Sequence, residues 1–268
     1  MSGILLVHGA WHGPWCWNDF VNHLTERGHD VRAVQLRGHD QPPGRIWYRL
    51  HHYVEDVQRM AAAFPEPPFV VGHSMGGLVV QKYLEKSYSP GSVLMASVPA
   101  RGTIAAVARL AVRYPVEFLK TNVLLRLRPF IVTSGLVRDL FFAPDTAQEI
   151  VDHCFACLQD ESYLAFIDTM VVLPRPHRVR APVLVLGAEK DSFFTVGEVR
   201  STARAYQTEV EIFPGMGHDM MLDTDWRKVA DRIDAWVTCP PKSGPRIPTK
   251  LTRAWSVLPF GQRARRML

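Results

Sequence analysis

Three side chains far apart in this 268-residue chain have the types needed for acyl transfer: a serine, a histidine and an aspartate. Ser74 sits in Gly72-His73-Ser74-Met75-Gly76-Gly77, directly after the apolar run Phe69-Val70-Val71 and directly before a helix-like run. That context carries more than the letters G-x-S-x-G. A serine at a sharp strand-to-helix turn holds its hydroxyl above a sheet edge, and flanking glycines let the helix cross close to the strand. The helix then aims its first N–H groups, and its positive dipole end, where an oxyanion would form.

A hydroxyl is a weak nucleophile and needs a base that is itself held by an acid. His218, in Phe213-Pro214-Gly215-Met216-Gly217-His218, lies just beyond the last predicted strand, on a loop that can lay an imidazole across the sheet. The acid belongs between the two in chain order. Asp191, at the end of Leu184-Val185-Leu186-Gly187-Ala188-Glu189-Lys190-Asp191, falls just past a strand and is preferred; Glu189 is the near competitor. Asp219 is set aside, because a neighbour in sequence is poorly placed to reach the ring of His218. Two backbone donors should meet the oxyanion: the N–H of Met75, after the nucleophile, and that of Ala10 in His8-Gly9-Ala10-Trp11. Trp11 is read as substrate-facing.

The surrounding pattern must position these groups. Short apolar runs at 4–7, 31–36, 69–71, 92–96, 183–186 and 209–213 read as strands. Amphipathic stretches at 15–27, 51–64, 78–87, 196–206 and 225–237 read as the helices between them. Such alternation predicts an α/β fold with a mostly parallel sheet flanked by helices. Residues 99–180 break the pattern: they are helical in period, with prolines at 115, 129, 144, 174 and 176 and no good strand. The expected organisation is a core of 1–98 and 181–238, an inserted helical cap of 99–180, and a basic, proline-rich tail of 239–268. Apolar cap residues such as Leu119, Phe142, Phe166 and Met170 would line a pocket for a hydrophobic group of small to medium size.

Composition narrows the class. With 47% hydrophobic and 21% charged residues, the chain is neither a disordered polymer nor a fibrous one. Its +5 charge belongs to the tail, which holds seven basic residues and no acid; without it 24 basic residues face 26 acidic ones. Nucleic acid is therefore not an expected partner. The most apolar later stretch, 104–142, is interrupted by eight charged residues and does not read as a membrane span. The opening residues have no cationic flank, long apolar region or cleavage site. A cytoplasmic protein with reduced thiols is expected, since Cys16, Cys154, Cys157 and Cys239 are too few and scattered for a disulfide framework.

Other constellations are weaker. His8 and His12 span a turn broken by Gly9 and Gly13, and His51-His52 has no third ligand at a usable spacing, so no metal is expected. Cys154 and Cys157 lie in a predicted helix without a preceding strand and read as packed thiols. No phosphate loop or dinucleotide fingerprint is present.

Taken together, His8-Gly9-Ala10, Gly72-His73-Ser74-Met75-Gly76-Gly77, Asp191 and Gly217-His218 resemble the α/β-hydrolase superfamily over residues 3–238, outside most of the cap. The opening Val7-His8-Gly9-Ala10-Trp11-His12-Gly13-Pro14-Trp15-Cys16-Trp17 resembles the methylesterase and hydroxynitrile-lyase branch, and the motif around Ser74 equally resembles monoacylglycerol lipases. The resemblance implies Ser–His–Asp acyl transfer without metal or organic cofactor, on a small-molecule ester. Two positions depart from the pattern. Gln35 replaces an aspartate common after the second strand, and Gly9 stands where the lyases carry a threonine. The rival expectations are a cofactor-free lyase or haloperoxidase on the same fold, and a ligand-binding protein of negligible turnover.

Overall fold

The computed structural model describes residues 1–39 and 47–240; of the tail expected at 239–268, all but the first two residues lie outside them. Along the chain the elements are β1 (Gly3–Val7), α1 (Asn18–Glu26), β2 (Asp30–Ala33), α2 (Leu50–Ala61), β3 (Phe69–His73), α3 (Ser74–Leu84) and β4 (Ser92–Met95). Five helices follow: α4 (Ile104–Arg113), α5 (Pro115–Leu124), α6 (Ser134–Phe141), α7 (Gln148–Cys157) and α8 (Tyr163–Val171). The α/β alternation then resumes with β5 (Val183–Ala188), α9 (Val196–Ala205), β6 (Val210–Phe213) and α10 (Trp226–Thr238).

The six strands form one sheet in the order β2-β1-β3-β4-β5-β6, and every neighbouring pair is parallel. Alternation along each strand divides the core between the two faces. Leu5, Val7, Val70, Leu94 and Val185 join the apolar cluster containing α2, α3, α9 and the helices inserted after β4. Ile4, Leu6, Val71, Val93 and Leu186 join a second cluster, built with Phe20 and Leu24 of α1 and Val229, Ile233 and Trp236 of α10. Both faces are covered, as a fully parallel sheet requires.

Several boundaries differ from the sequence reading, most of them by one to three residues. The first helix is split, with a 3-10 turn at Pro14–Trp17 preceding α1, because proline is tolerated where the first N–H has no partner. The second strand stops at Ala33, three residues early. Helix α3 starts at Ser74 rather than near 78: Gly76 and Gly77 are poor helix formers, yet the packing described next needs them inside the first turn.

Candidate active site

The chain leaves β1 for β2 on one side and later returns to place β3 on the other side of β1. Between β1 and β3 the order therefore reverses, and the loops at their C-terminal ends diverge to open a crevice. Register fixes which residues meet there. Val7 pairs with Gly72, so His8-Gly9-Ala10-Trp11 and His73-Ser74 leave the sheet side by side. Ser74 adopts φ +52°, the left-handed conformation of a strained strand-to-helix turn. A Cβ at Gly76 would collide with the carbonyl oxygen of His8 and come within 2.5 Å of that of Val7, so only glycine lets α3 cross the end of β1. A Cβ at Gly9 would lie 2.9 Å from Ser74 Cβ and 3.0 Å from His73 Nδ1.

The three candidate side chains meet at this edge. His218 Nε2 is 2.9 Å from Ser74 Oγ, and His218 Nδ1 is 2.9 Å from Asp191 Oδ2. The other oxygen of Asp191 accepts the N–H groups of Phe193 (2.8 Å) and Phe194 (3.0 Å), which fixes the carboxylate. The side chains of His218 and Asp191 are 1% and 0% exposed, while Ser74 remains partly open. Burial pulls the His218 pKa down, but the charge and hydrogen bond of Asp191 outweigh it, and the net shift is upward from 6.5. Glu189 does not reach the ring. Its Oε2 accepts the Gly215 N–H at 2.8 Å and so braces the loop that carries His218. His73 donates from Nε2 to the His218 carbonyl at 3.0 Å; burial, then the neighbouring His218, lower its pKa to about 3, so it acts as a neutral brace.

Around the proposed oxyanion donors, Met75 lies in the first turn of α3, where N–H groups have no intrahelical acceptor. The loop carrying Ala10 is pinned at successive carbonyls. Gly9 accepts from His8 Nδ1 (2.9 Å), Ala10 from His12 Nδ1 (2.7 Å), and Trp11 from the N–H of Gln159 (2.8 Å). Trp11, at φ +64°, is buried between Phe141 and Phe193, and its indole N–H has no acceptor among the described residues. Phe193 in turn lies 4.6 Å from the His218 ring, centre to centre. Of the apolar residues expected to line a pocket, Phe142 is buried and Phe166 and Met170 are partly buried, whereas Leu119 stands out into solvent.

Sequence reasoning missed Asp219. It does not hold the His218 ring, but its Oδ2 lies 3.0 Å from His12 Nε2, with both side chains fully buried. His12 Nδ1 also faces the Ala10 carbonyl, so the one ring bridges two loops. Burial alone would raise the Asp219 pKa; the charge and hydrogen bond of His12, aided by His73 and His218, bring it below 3.8. The available signal was a carboxylate followed by Met220-Met221: a charge in so apolar a setting must find a partner. Cys154 Sγ is 3.9 Å from the same oxygen, and burial, then Asp219, push its thiol well up, which makes it inert. Two groups, His12-Cys154-Asp219 and His73-His218-Asp219, bring possible ligand atoms within 4.8 Å of one another. Their ring nitrogens facing Asp219 are already engaged: His12 on Asp219, and His73 on the His218 carbonyl.

A strained serine turn at the switch point of a parallel sheet, with histidine and aspartate delivered from later loops, defines the α/β-hydrolase arrangement. The chain belongs to the alpha/beta hydrolase family, whose model matches residues 4–232. It is an esterase- and lipase-like member. It is 26% identical over 251 residues to a monoacylglycerol lipase of Mycolicibacterium smegmatis, covering 87% of each chain. Methylesterase 3 of Arabidopsis thaliana is 36% identical, but over 80 residues only, 28% of this chain and 30% of that one. Among solved structures, the monoacylglycerol lipase of Paleococcus ferrophilus superposes with a TM-score of 0.67 at 21% identity, covering 88% of this chain and 93% of that one. No helix among the described residues is long and apolar enough to cross a membrane.

Proposed function

We propose that this chain hydrolyses carboxylic esters of small to medium hydrophobic substrates through an acyl-enzyme on Ser74. The observation that carries the reading is the relay of two 2.9 Å contacts from Ser74 through His218 to Asp191. His218 takes the hydroxyl proton as Oγ bonds to the ester carbonyl carbon. The carbonyl oxygen becomes an oxyanion held by the N–H groups of Ala10 and Met75. Collapse expels the alcohol, which receives the proton from His218 and leaves an acyl group on Ser74. Water, deprotonated by His218, then releases the acid, and no metal or organic cofactor takes part. Asp191 holds the ring and stabilises the imidazolium.

Helices α4 to α8 act as the cap, and residues 1–98 with 181–238 as the core; the insertion of all five helices between β4 and β5 supports this division. Trp11, flanked by Phe141 and Phe193, forms an apolar wall beside His218. The names of the relatives, a monoacylglycerol lipase and a methylesterase, are in keeping with an ester substrate. Four free cysteines are in keeping with a reducing, cytoplasmic location. Crowding at Gly9 argues against lyase chemistry that relies on a threonine there.

A panel of p-nitrophenyl esters, lactones and cyanohydrins tests the reading. Ester turnover with labelling of Ser74 by a fluorophosphonate is expected; cyanohydrin cleavage without ester turnover would replace hydrolase by lyase.

A further inference from the structure

The inserted helices carry an apolar face that none of the described residues covers. Val112 of α4, Val116, Leu119, Val123 and Leu124 of α5, and Val132 are between 47% and 84% exposed. Within α5 these residues, together with Lys120, recur at helical spacing on one side. Single exposed apolar residues are ordinary, but a contiguous stripe on one helix hairpin marks a contact surface. Beside it, a groove of about 240 Å³ runs between α5 and the turn at Arg128–Ile131, lined by Glu117, Lys120, Leu124, Arg126, Arg128, Pro129 and Val132.

Charge identifies the partner. Residues 101–132 contain six basic side chains and a single acid, Glu117. Outside this segment and the last thirty residues, the chain has 18 basic against 25 acidic residues, so the positive charge is concentrated rather than spread. Arg109 and Arg126 are engaged by Glu198 and Asp160, each at 2.7 Å. Arg113, Lys120 and Arg128 are exposed, with no ion pair among the described residues. A second copy docked face to face would set this positive patch against itself. The tail, with seven basic residues and no acid, would meet the same repulsion. An anionic lipid surface meets both demands: acyl chains accept the valines and leucines, and headgroup phosphates accept the cations.

We propose that the α4–α5 hairpin docks this protein on anionic membrane surfaces, lying in the headgroup plane with Val112, Val116 and Val123 inserted and Lys120 and Arg128 on phosphates. At ten residues each, the two helices are too short to span a bilayer and lie along it. The proposal is independent of the chemistry at Ser74, so its failure would leave the hydrolase reading intact.

Co-sedimentation of the full chain with vesicles tests it, using phosphatidylcholine alone and phosphatidylcholine mixed with phosphatidylglycerol, at low and high salt. The wild type should sediment with the anionic vesicles only, and salt should release it. Lys120→Gln/Arg128→Gln should weaken binding about 25-fold, about fivefold for each lost charge. Val112→Ser/Val123→Ser should weaken it as well while keeping the wild-type thermal midpoint, because both positions are in solvent. The proposal is overturned if anionic vesicles fail to bind at low salt. It is also overturned if both double variants bind like the wild type, which would assign the affinity to the tail, or if the valine variant instead disperses a dimer.

Discussion

His12 and Asp219, 207 positions apart in the chain, form a buried pair with a 3.0 Å contact, and this pair ties the loop of the proposed oxyanion donor to the loop of the proposed base. One ring nitrogen of His12 serves Asp219, directly after His218; the other serves the carbonyl of Ala10. A shift of either loop would break one of the two bonds.

Removing one member of this pair should therefore be costly. Asp219→Ala breaks a fully buried pair and leaves His12 Nε2 without its partner, for which a loss of about 3–5 kcal/mol is expected, or a drop of about 6–20 °C in thermal midpoint. His12→Ala should cost a similar amount. The double variant should lose less than the sum of the two, since neither buried polar group is then left without its partner. Strict additivity in thermal or urea unfolding would contradict the pairing.

The pH dependence follows from His218. Its folded pKa is raised above 6.5, and the base works only when unprotonated. The rate constant kcat/KM should thus rise with pH through a midpoint above 6.5. Asp191→Asn removes the cause of the upward shift, so the midpoint should fall while the rate drops about 10⁴-fold. Stability has the opposite sense. The contribution of the His218–Asp191 pair is complete below 6.5 and is lost as pH rises through the raised folded value. A midpoint at or below 6.5 in the wild type would contradict the assignment of the base.

At Gly9 the backbone approaches the nucleophile so closely that a side chain must move something. Gly9→Thr brings a Cβ to 2.9 Å from Ser74 Cβ and should displace the hydroxyl from the ring of His218. A displacement of about 1 Å costs on the order of 10²-fold in rate. The rate of fluorophosphonate labelling at Ser74 should fall by a comparable factor. An unchanged rate would mean that the loop yields freely and that its three carbonyl hydrogen bonds do not hold it.

Ser74, Asp191 and His218 could be picked out from the sequence because each has a local cause: a glycine-flanked turn after an apolar strand, a carboxylate just past a strand end, and a histidine on a glycine-rich loop. The parallel sheet was legible for the same reason, since its buried strands are short, continuous apolar runs. The His12–Asp219 pair was not, because its partners sit on loops that only the sheet order brings together. Helical period in 99–180 identified faces but not their coverings. Leu119, read as a pocket residue, is exposed, while Phe141 packs against Trp11 and Phe193. The start of α3 was misplaced because the glycines there serve the close crossing over β1 at the expense of helix propensity.

An apolar pocket should show itself in an ester series. Each added methylene that is buried contributes up to about 0.8 kcal/mol, close to fourfold in kcat/KM. Activity on straight-chain p-nitrophenyl esters should climb with acyl length and then level or fall once the pocket is filled. A flat profile would place the acyl chain in solvent.

The most direct measurement is ester turnover by the wild type and by Ser74→Ala, purified alike and compared on the best substrate of that series. Loss of the hydroxyl should cost on the order of 10⁶-fold in kcat, leaving a trace due to the remaining donors and binding alone. Turnover by Ser74→Ala within about tenfold of the wild type would contradict nucleophilic catalysis at this position.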